Sequence, residues 1–405
     1  TGQTGSRGKH YRKVAITPLN LTPMLPGNVI STILKHDAKV TSYKIALLRA
    51  INDLALNFPD LRNVEQDVAV PLRILAQFWV AYYWSFVKPD KSILQGQRSR
   101  QGNILRNDME FRPQLTELRQ EWEQVIGGIS RPSDGFFLIN ELRVPRKYQN
   151  YPKSLHQAYS KALTAISKTL EMPVKYAGYG HWTVFAKPVK YVDIGSRVIP
   201  IPSTQPTDKC LIIRADLWQT FQEMSLWVEA LCIHEWCLFT EKVQQEAERG
   251  TIYQLLTDRP DNRRPLTWER NQIDLLLMED RVFICPWTKR RITRGIQYDL
   301  DHLLPVSLYP INELWNLVPA DPKFNSHEKR DRLPTQARLR QAQPDLELAY
   351  RHYSASNSLL IALQEDVDVR FSTVSREPAY FPDALANAVV NLIDIVAESR
   401  NLARF

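Results

Sequence analysis

Tyr298-Asp-Leu-Asp-His-Leu-Leu-Pro305, Leu314-Trp-Asn-Leu-Val318 and Phe324-Asn-Ser-His-Glu-Lys-Arg-Asp-Arg-Leu-Pro334 follow one another in the last third of the chain. They place oxygen and nitrogen donors at fixed intervals in a segment that reads as strands and loops. Asp301 and His302 are adjacent within a strand-like stretch, and successive strand side chains point to opposite faces. For both to serve one site, a bend or bulge near Pro305 is expected. An adjacent Asp-His pair alone says little. The spacing adds the information: Asn316 stands fourteen residues after His302, Asn325 nine after that, and Lys329, Asp331 and Pro334 follow. Phosphodiester hydrolysis needs a base for water, a cation on the phosphate and help for the leaving oxygen. A hard divalent cation takes oxygen ligands and keeps several waters, so one or two protein oxygens suffice.

This pattern, over about residues 281–334, resembles the HNH (His-Me finger, ββα-metal) endonuclease family. The resemblance implies two strands and a helix around one Mg²⁺ or Mn²⁺. It implies His302 as general base, Asp301 as metal ligand and Asn316 as the structural Asn that holds the loop orienting the base. It puts Asn325 at the third family position, as a metal ligand at the start of the helix. His327, two residues on, is the competing ligand. Lys329 and Arg332 are expected on phosphate or on developing negative charge. Arg281, Lys289, Arg290 and Arg291 flank the hairpin and are expected to track a nucleic-acid backbone. Many family members carry two CxxC pairs for a structural zinc. Here Cys285 stands alone in a Cys-Pro-Trp-Thr turn. No structural zinc is expected, and packing by Trp287, Ile292, Trp315 and Phe324 has to replace it.

Outward from this segment the chain reads as mostly helical. Thr41 or Ser42 is expected to cap a helix carrying Ile45, Leu48, Ile51 and Leu54. The apolar run Val70 to Val87 reads as a second helix, ended by Lys88-Pro89-Asp90. Further helices are expected over Gln114–Ile126, Leu155–Leu170, Leu217–Glu246, Trp268–Met278, Leu346–Leu363 and Pro382–Ala403. Between Lys175 and Arg214, β-rich runs broken by Pro and Gly predict two to four short strands. The expected fold class is mainly α with a small α+β portion, the ββα-metal module being set among helices. The expected divisions are an irregular basic arm (1–35), a helical domain (36–172), a mixed strand and helix region (173–265), the nuclease module (266–341) and a C-terminal helical region (342–405).

Composition bounds the rest. The 405 residues carry 52 Lys and Arg against 44 Asp and Glu, a net charge of +8 that suits a polyanionic partner without proving one. Four cysteines are too few for a disulfide scaffold, and no CxxC pair exists, so a reducing cytoplasm is expected. No leader or membrane span is read, and the opening Thr1-Gly-Gln-Thr-Gly-Ser is set aside as a tag remnant. Cys232-Ile-His-Glu-Trp-Cys237 has the wrong spacing for a helical zinc site, and Trp227, Leu231, His234 and Leu238 read as one packed helix face. The loop Gln97-Arg-Ser-Arg100 and the run Arg259, Arg263, Arg264 and Arg270 are open to phosphate contact or plain solvation, and closeness to the segment above favours the second run for contact.

The function these readings imply is a DNA endonuclease, with RNA left open. It fits a restriction or anti-phage defence effector with partner subunits and no membrane. The competing readings are a catalytically silent nucleic-acid-binding subunit and a nuclease subunit active only within a protein or guide-containing complex.

Overall fold

Helix begins earlier than the sequence suggests. The computed structural model describes residues 25–405 except 62–64, 89–91, 98–99, 102–103, 106–107, 196–197, 259–265, 307, 310–311, 372 and 401. Most of the expected N-terminal arm therefore lies outside the described residues, but its end is α1 (Pro26–Lys35) rather than irregular chain. Pro in the first turn is compatible with this, because the first amides of a helix lack intrahelical partners anyway. α2 (Tyr43–Asn57) starts after Ser42 as expected. Ser42 does not cap it; its hydroxyl shares a 2.8 Å hydrogen bond with Tyr83 instead.

The run Val70 to Val87 divides where the expectation was one helix. Its start belongs to β1 (Asp67–Pro71), and α3 (Leu72–Tyr83) follows. Pro71, with fixed φ and no N–H, stands at the change. Next come β2 (Arg100–Gln101), β3 (Ile104–Leu105), α4 (Arg112–Ile126), α5 (Asp134–Arg143), α6 (Pro145–Tyr148) and α7 (Lys153–Lys175). The β-rich stretch supplies β4 (Val189–Lys190), β5 (Val198–Pro200) and β6 (Lys209–Ile213). With β1 these form a sheet in the order β4-β6-β1-β5, in which only the β1–β5 pairing is parallel. The expected single helix Leu217–Glu246 is α8 (Ala215–Glu223) and α9 (Ser225–Val243), which turn at Met224; α10 (Arg249–Thr257) follows.

β1, β6 and the helices around them share one hydrophobic core, running from Ile30 to Leu256 across the division expected near 172. α2 lies at its centre, buried nearly all round, which is what an apolar helix without a polar stripe requires. Its few polar groups tie neighbours: Arg49 donates to the Leu256 carbonyl at 2.6 Å, and Asp53 accepts from the Tyr82 hydroxyl at 2.6 Å.

A second core runs from Ile273 to Ala397. It is built from α11 (Thr267–Met278), β7 (Phe283–Ile284), β8 (Arg291–Ile292), β9 (Asp299–His302), β10 (Leu317–Ala320), the short turn α12 (Pro322–Phe324), α13 (Gln336–Ala355), α14 (Asn357–Arg370) and α15 (Phe381–Ser399). Here too one expected helix, Leu346–Leu363, is two, with the break at Ser356. β7–β8 and β9–β10 are antiparallel hairpins. The Trp287, Ile292, Trp315 and Phe324 side chains are all in this core. Among the described residues no helix is long and apolar enough to cross a membrane.

α13 seats the second hairpin. Tyr350 donates to the Trp315 carbonyl at 2.6 Å and Tyr353 to the Leu317 carbonyl at 2.9 Å, both hydroxyls buried. Tyr350→Phe strands a buried carbonyl and is expected to lower stability by about 1–3 kcal/mol. The check is the urea midpoint of the C-terminal core; an unchanged midpoint would show the carbonyl is satisfied another way.

Candidate active site

β9 pairs residue for residue with β10: Asp299 with Ala320, Leu300 with Pro319, Asp301 with Val318, and His302 with Leu317. No bulge within β9 turns Asp301 and His302 to one side; the chain bends just beyond it, at Leu303 and Leu304 before Pro305. Strand alternation puts Asp299 and Asp301 on one face and His302 on the other. Their contacts agree. Asp301 meets Trp287 and Lys329, whereas His302 meets Asn312.

His302 is half-buried, its Nε2 2.8 Å from Oδ1 of the buried Asn312. An amide oxygen only accepts, so Nε2 is the N–H and the neutral ring keeps its lone pair on Nδ1. Burial holds this imidazole below its ordinary pKa, with Lys329 lowering it further while Asn312 and Asp301 oppose. Behind His302 the chain leaves β9 through Leu303 and Leu304, and Asn316 fixes that exit. Its Oδ1 accepts the Leu304 N–H at 2.7 Å, its Nδ2 donates to the Leu304 carbonyl at 3.1 Å, and its own carbonyl accepts the Leu303 N–H at 2.8 Å.

On the other face, Asp301 is 4% exposed. One carboxylate oxygen accepts from Lys329 Nζ at 2.8 Å and the other from Trp287 Nε1 at 3.1 Å. Lys329 is 1% exposed and also donates to the His302 carbonyl at 2.7 Å. Its expected place on a substrate phosphate is thus corrected: the ammonium is committed inward. Lys329 lies four residues after Asn325, the helical spacing that puts two side chains on one face. Both point toward β9, where Asn325 Nδ2 donates to Asp299 Oδ2 at 3.2 Å.

The remaining expected residues fall into place around this centre. His327 is exposed, and its Nδ1 bonds Ser326 Oγ at 2.8 Å and the Lys323 carbonyl at 3.0 Å, within its own turn. The structure does not bring it to the β9 carboxylates. No group of three or more His, Cys, Asp or Glu side chains gathers to hold a metal among the described residues. Donor chemistry still suits a hard cation. Asp299, Asp301 and the Asn325 amide are oxygen donors on adjoining elements, and a ligating carboxylate commonly carries hydrogen bonds such as those of Trp287 and Lys329. Arg281, Arg290, Arg291 and Arg332 are exposed. Lys289 is exposed but its ammonium pairs with Asp345 of α13. Arg290 lies 3.3 Å from Asp321. Arg270 stacks over the Tyr298 ring at 5.0 Å; Arg259, Arg263, Arg264 and Arg98 lie outside the described residues. In α9, Cys232 and Cys237 face the core while Trp227 and His234 are exposed, so the packed face is the opposite of the one expected.

Sequence reading missed Asp299 and Asn312. Asp299 carried a usable signal, since a period of two along β9 puts it beside Asp301. Asn312 carried none, because nothing local tells which loop amide reaches an imidazole ten residues back.

No curated protein and no solved structure matches this chain. Residues 285–335, which hold the whole arrangement from the Cys285 turn to Lys329, match the HNH endonuclease family. Residues 24–256, more than half of the 405, match the family described as a domain of unknown function, DUF8808. The chain belongs to the DUF8808 family and carries an HNH endonuclease segment, a nuclease-type unit, in its last third.

Proposed function

We propose that the protein is a divalent-cation-dependent endonuclease that hydrolyses phosphodiester bonds in DNA. The observation that carries this reading is the Asn316 clamp behind His302, on a strand whose carboxylates adjoin Asn325. In this reading the scissile phosphate would lie across the end of β9, where His302 is the last residue and the chain bends away, so that groups on both faces reach it. His302 is the general base, with Nε2–H held by Asn312 and Nδ1 taking the proton of the attacking water. Asp301 and Asn325, with Asp299 beside them, would hold Mg²⁺ or Mn²⁺. When bound, the cation supplies charge stabilisation on the scissile phosphate and the leaving oxygen. Lys329 acts on Asp301, orienting the buried carboxylate through a 2.8 Å contact. The exposed Arg281, Arg290, Arg291 and Arg332 would lie along the phosphate backbone, whereas the Lys289 ammonium is taken up by Asp345. A nuclease unit joined to a larger helical body fits an effector switched on by a signal or partner, as in restriction or anti-phage defence.

Plasmid cleavage with Mg²⁺ tests the assignment. His302→Ala is expected to lower the rate roughly 10²–10⁴-fold. Equal nicking by the variant sinks the mechanism, and cleavage only after a partner is added favours the subunit reading.

Chelation is expected to abolish cutting and added Mg²⁺ or Mn²⁺ to restore it; full activity in excess EDTA would remove the cation from the reaction.

The pH profile follows from the base having to be neutral. The rate should fall as pH drops through the folded-state pKa of His302, which burial sets below the usual 6.5. A cation at Asp301 pushes it the same way. At pH 6.5 the rate is therefore expected nearer its plateau than half-maximal, and a midpoint above 6.5 contradicts His302 as a buried base.

A further inference from the structure

The residue that holds His302 sits in a segment gripped by the DUF8808 body. Asn312, 4% exposed, is followed by Glu313, 2% exposed, whose Oε1 accepts from Arg143 Nη2 at 2.8 Å. Arg143 is the last residue of α5, in the first core's half of the chain. The other oxygen of Glu313 accepts from Trp315 Nε1 at 2.6 Å. The next residue, Leu314, donates its N–H at 2.8 Å to Asp366. Asp366, on α14, is fully buried and is itself held in a two-pronged pair by Arg146 of α6, at 2.6 and 3.0 Å. Two arginines, three residues apart on the helical body, therefore fix 313 and 314, immediately beside the Asn312 that bonds the imidazole and two residues before the Asn316 clamp.

The surrounding seam is polar and hollow. Arg370 forms a two-pronged pair with Asp60, and Tyr309 and Arg400 cap the carbonyls of Asn57 and Leu56. A cavity of about 440 Å³ opens between the bodies beside Arg143 and Glu313. The two hydrophobic cores remain separate. A joint made of ion pairs and carbonyl caps can shift its alignment without unpacking either core.

We propose that Asn312 and Glu313, with Arg143 and Arg146, are positioning residues through which the DUF8808 body sets the reactive placement of His302. The proposal rests on His302 being the base. When the two bodies are seated, the arginines hold 312–314 and Asn312 aligns the imidazole; when they part, that hold is lost while the Asn316 clamp remains.

The test uses the full chain. Arg143→Met, at a partly exposed pair, and Glu313→Gln are expected to lower kcat roughly two- to thirtyfold with KM for DNA little changed. Arg143→Lys, which keeps the charge, should recover part of the loss. Arg146→Met extends the series if it folds. Amide hydrogen exchange over 303–316 reads the same coupling without catalysis and should quicken in the Met variants but less in Arg143→Lys. An active wild type with unchanged kcat and unchanged exchange in Arg143→Met and Glu313→Gln overturns the proposal. A wild type that cuts nothing under any cation fails the nuclease reading instead, and the exchange comparison still decides the coupling.

Discussion

The amide of Asn316 is the contact on which the rest of the site depends. β9 and β10 pair over only four residues each, and a lone two-stranded hairpin is marginal in water. The chain beyond His302 could leave the hairpin at many angles. Asn316 removes that freedom by taking both the N–H and the C=O of Leu304 onto one planar side chain, fully buried. Tyr350 and Tyr353 then fix the carbonyls on either side of Asn316, which docks the hairpin on α13. His302 is aimed by a backbone that is itself held from both flanks.

Asp301 and Lys329 pose a different problem. A buried ion pair commonly fails to repay the desolvation of its two charges, so it is poor evidence of a stability device. The pair makes sense as orientation. With Trp287 on its second oxygen, both oxygens of Asp301 are held, and the same ammonium grips the His302 carbonyl. One lysine thereby ties both faces of β9, the carboxylate face directly and the histidine face through the backbone.

Much of this was legible in the sequence, for identifiable reasons. The intervals from Asp301 to Asn325 survive because the ββα unit is local, and local spacing maps directly onto geometry. The faces of β9 needed only the period of two, which separates Asp301 from His302 and joins Asp299 to Asp301. The i,i+4 relation of Asn325 and Lys329 likewise shows that Lys329 turns inward. Breaks in long apolar stretches were less visible. Val70 and Pro71 look like helix because an apolar run alone does not tell a buried strand from a buried helix. Met224 and Ser356 interrupt helices without Pro or Gly to mark the place. α5 was passed over although it supplies Arg143. The seam could not be read at all, since Arg143–Glu313 and Arg146–Asp366 join residues 170 and 220 apart in sequence.

That long-range seam gives the architecture its logic. If the nuclease unit needed only to be stable, an apolar interface with the larger body would serve, and the two cores would merge. They do not. Charges meet charges in direct pairs beside a cavity, and the partners on the nuclease side lie at 313 and 366, one next to the residue that holds His302 and the other bonded to the backbone of Leu314. Asn316 secures the turn from within its own hairpin, through contacts to Leu303 and Leu304 that involve no residue of the larger body. Asn312 stands beside two residues that are tied to the larger body, Glu313 by Arg143 and Leu314 through Asp366 and Arg146. Stability and alignment are thus assigned to different side chains four residues apart, which is the arrangement a body must have if it is to tune the reaction of a nuclease without unfolding it.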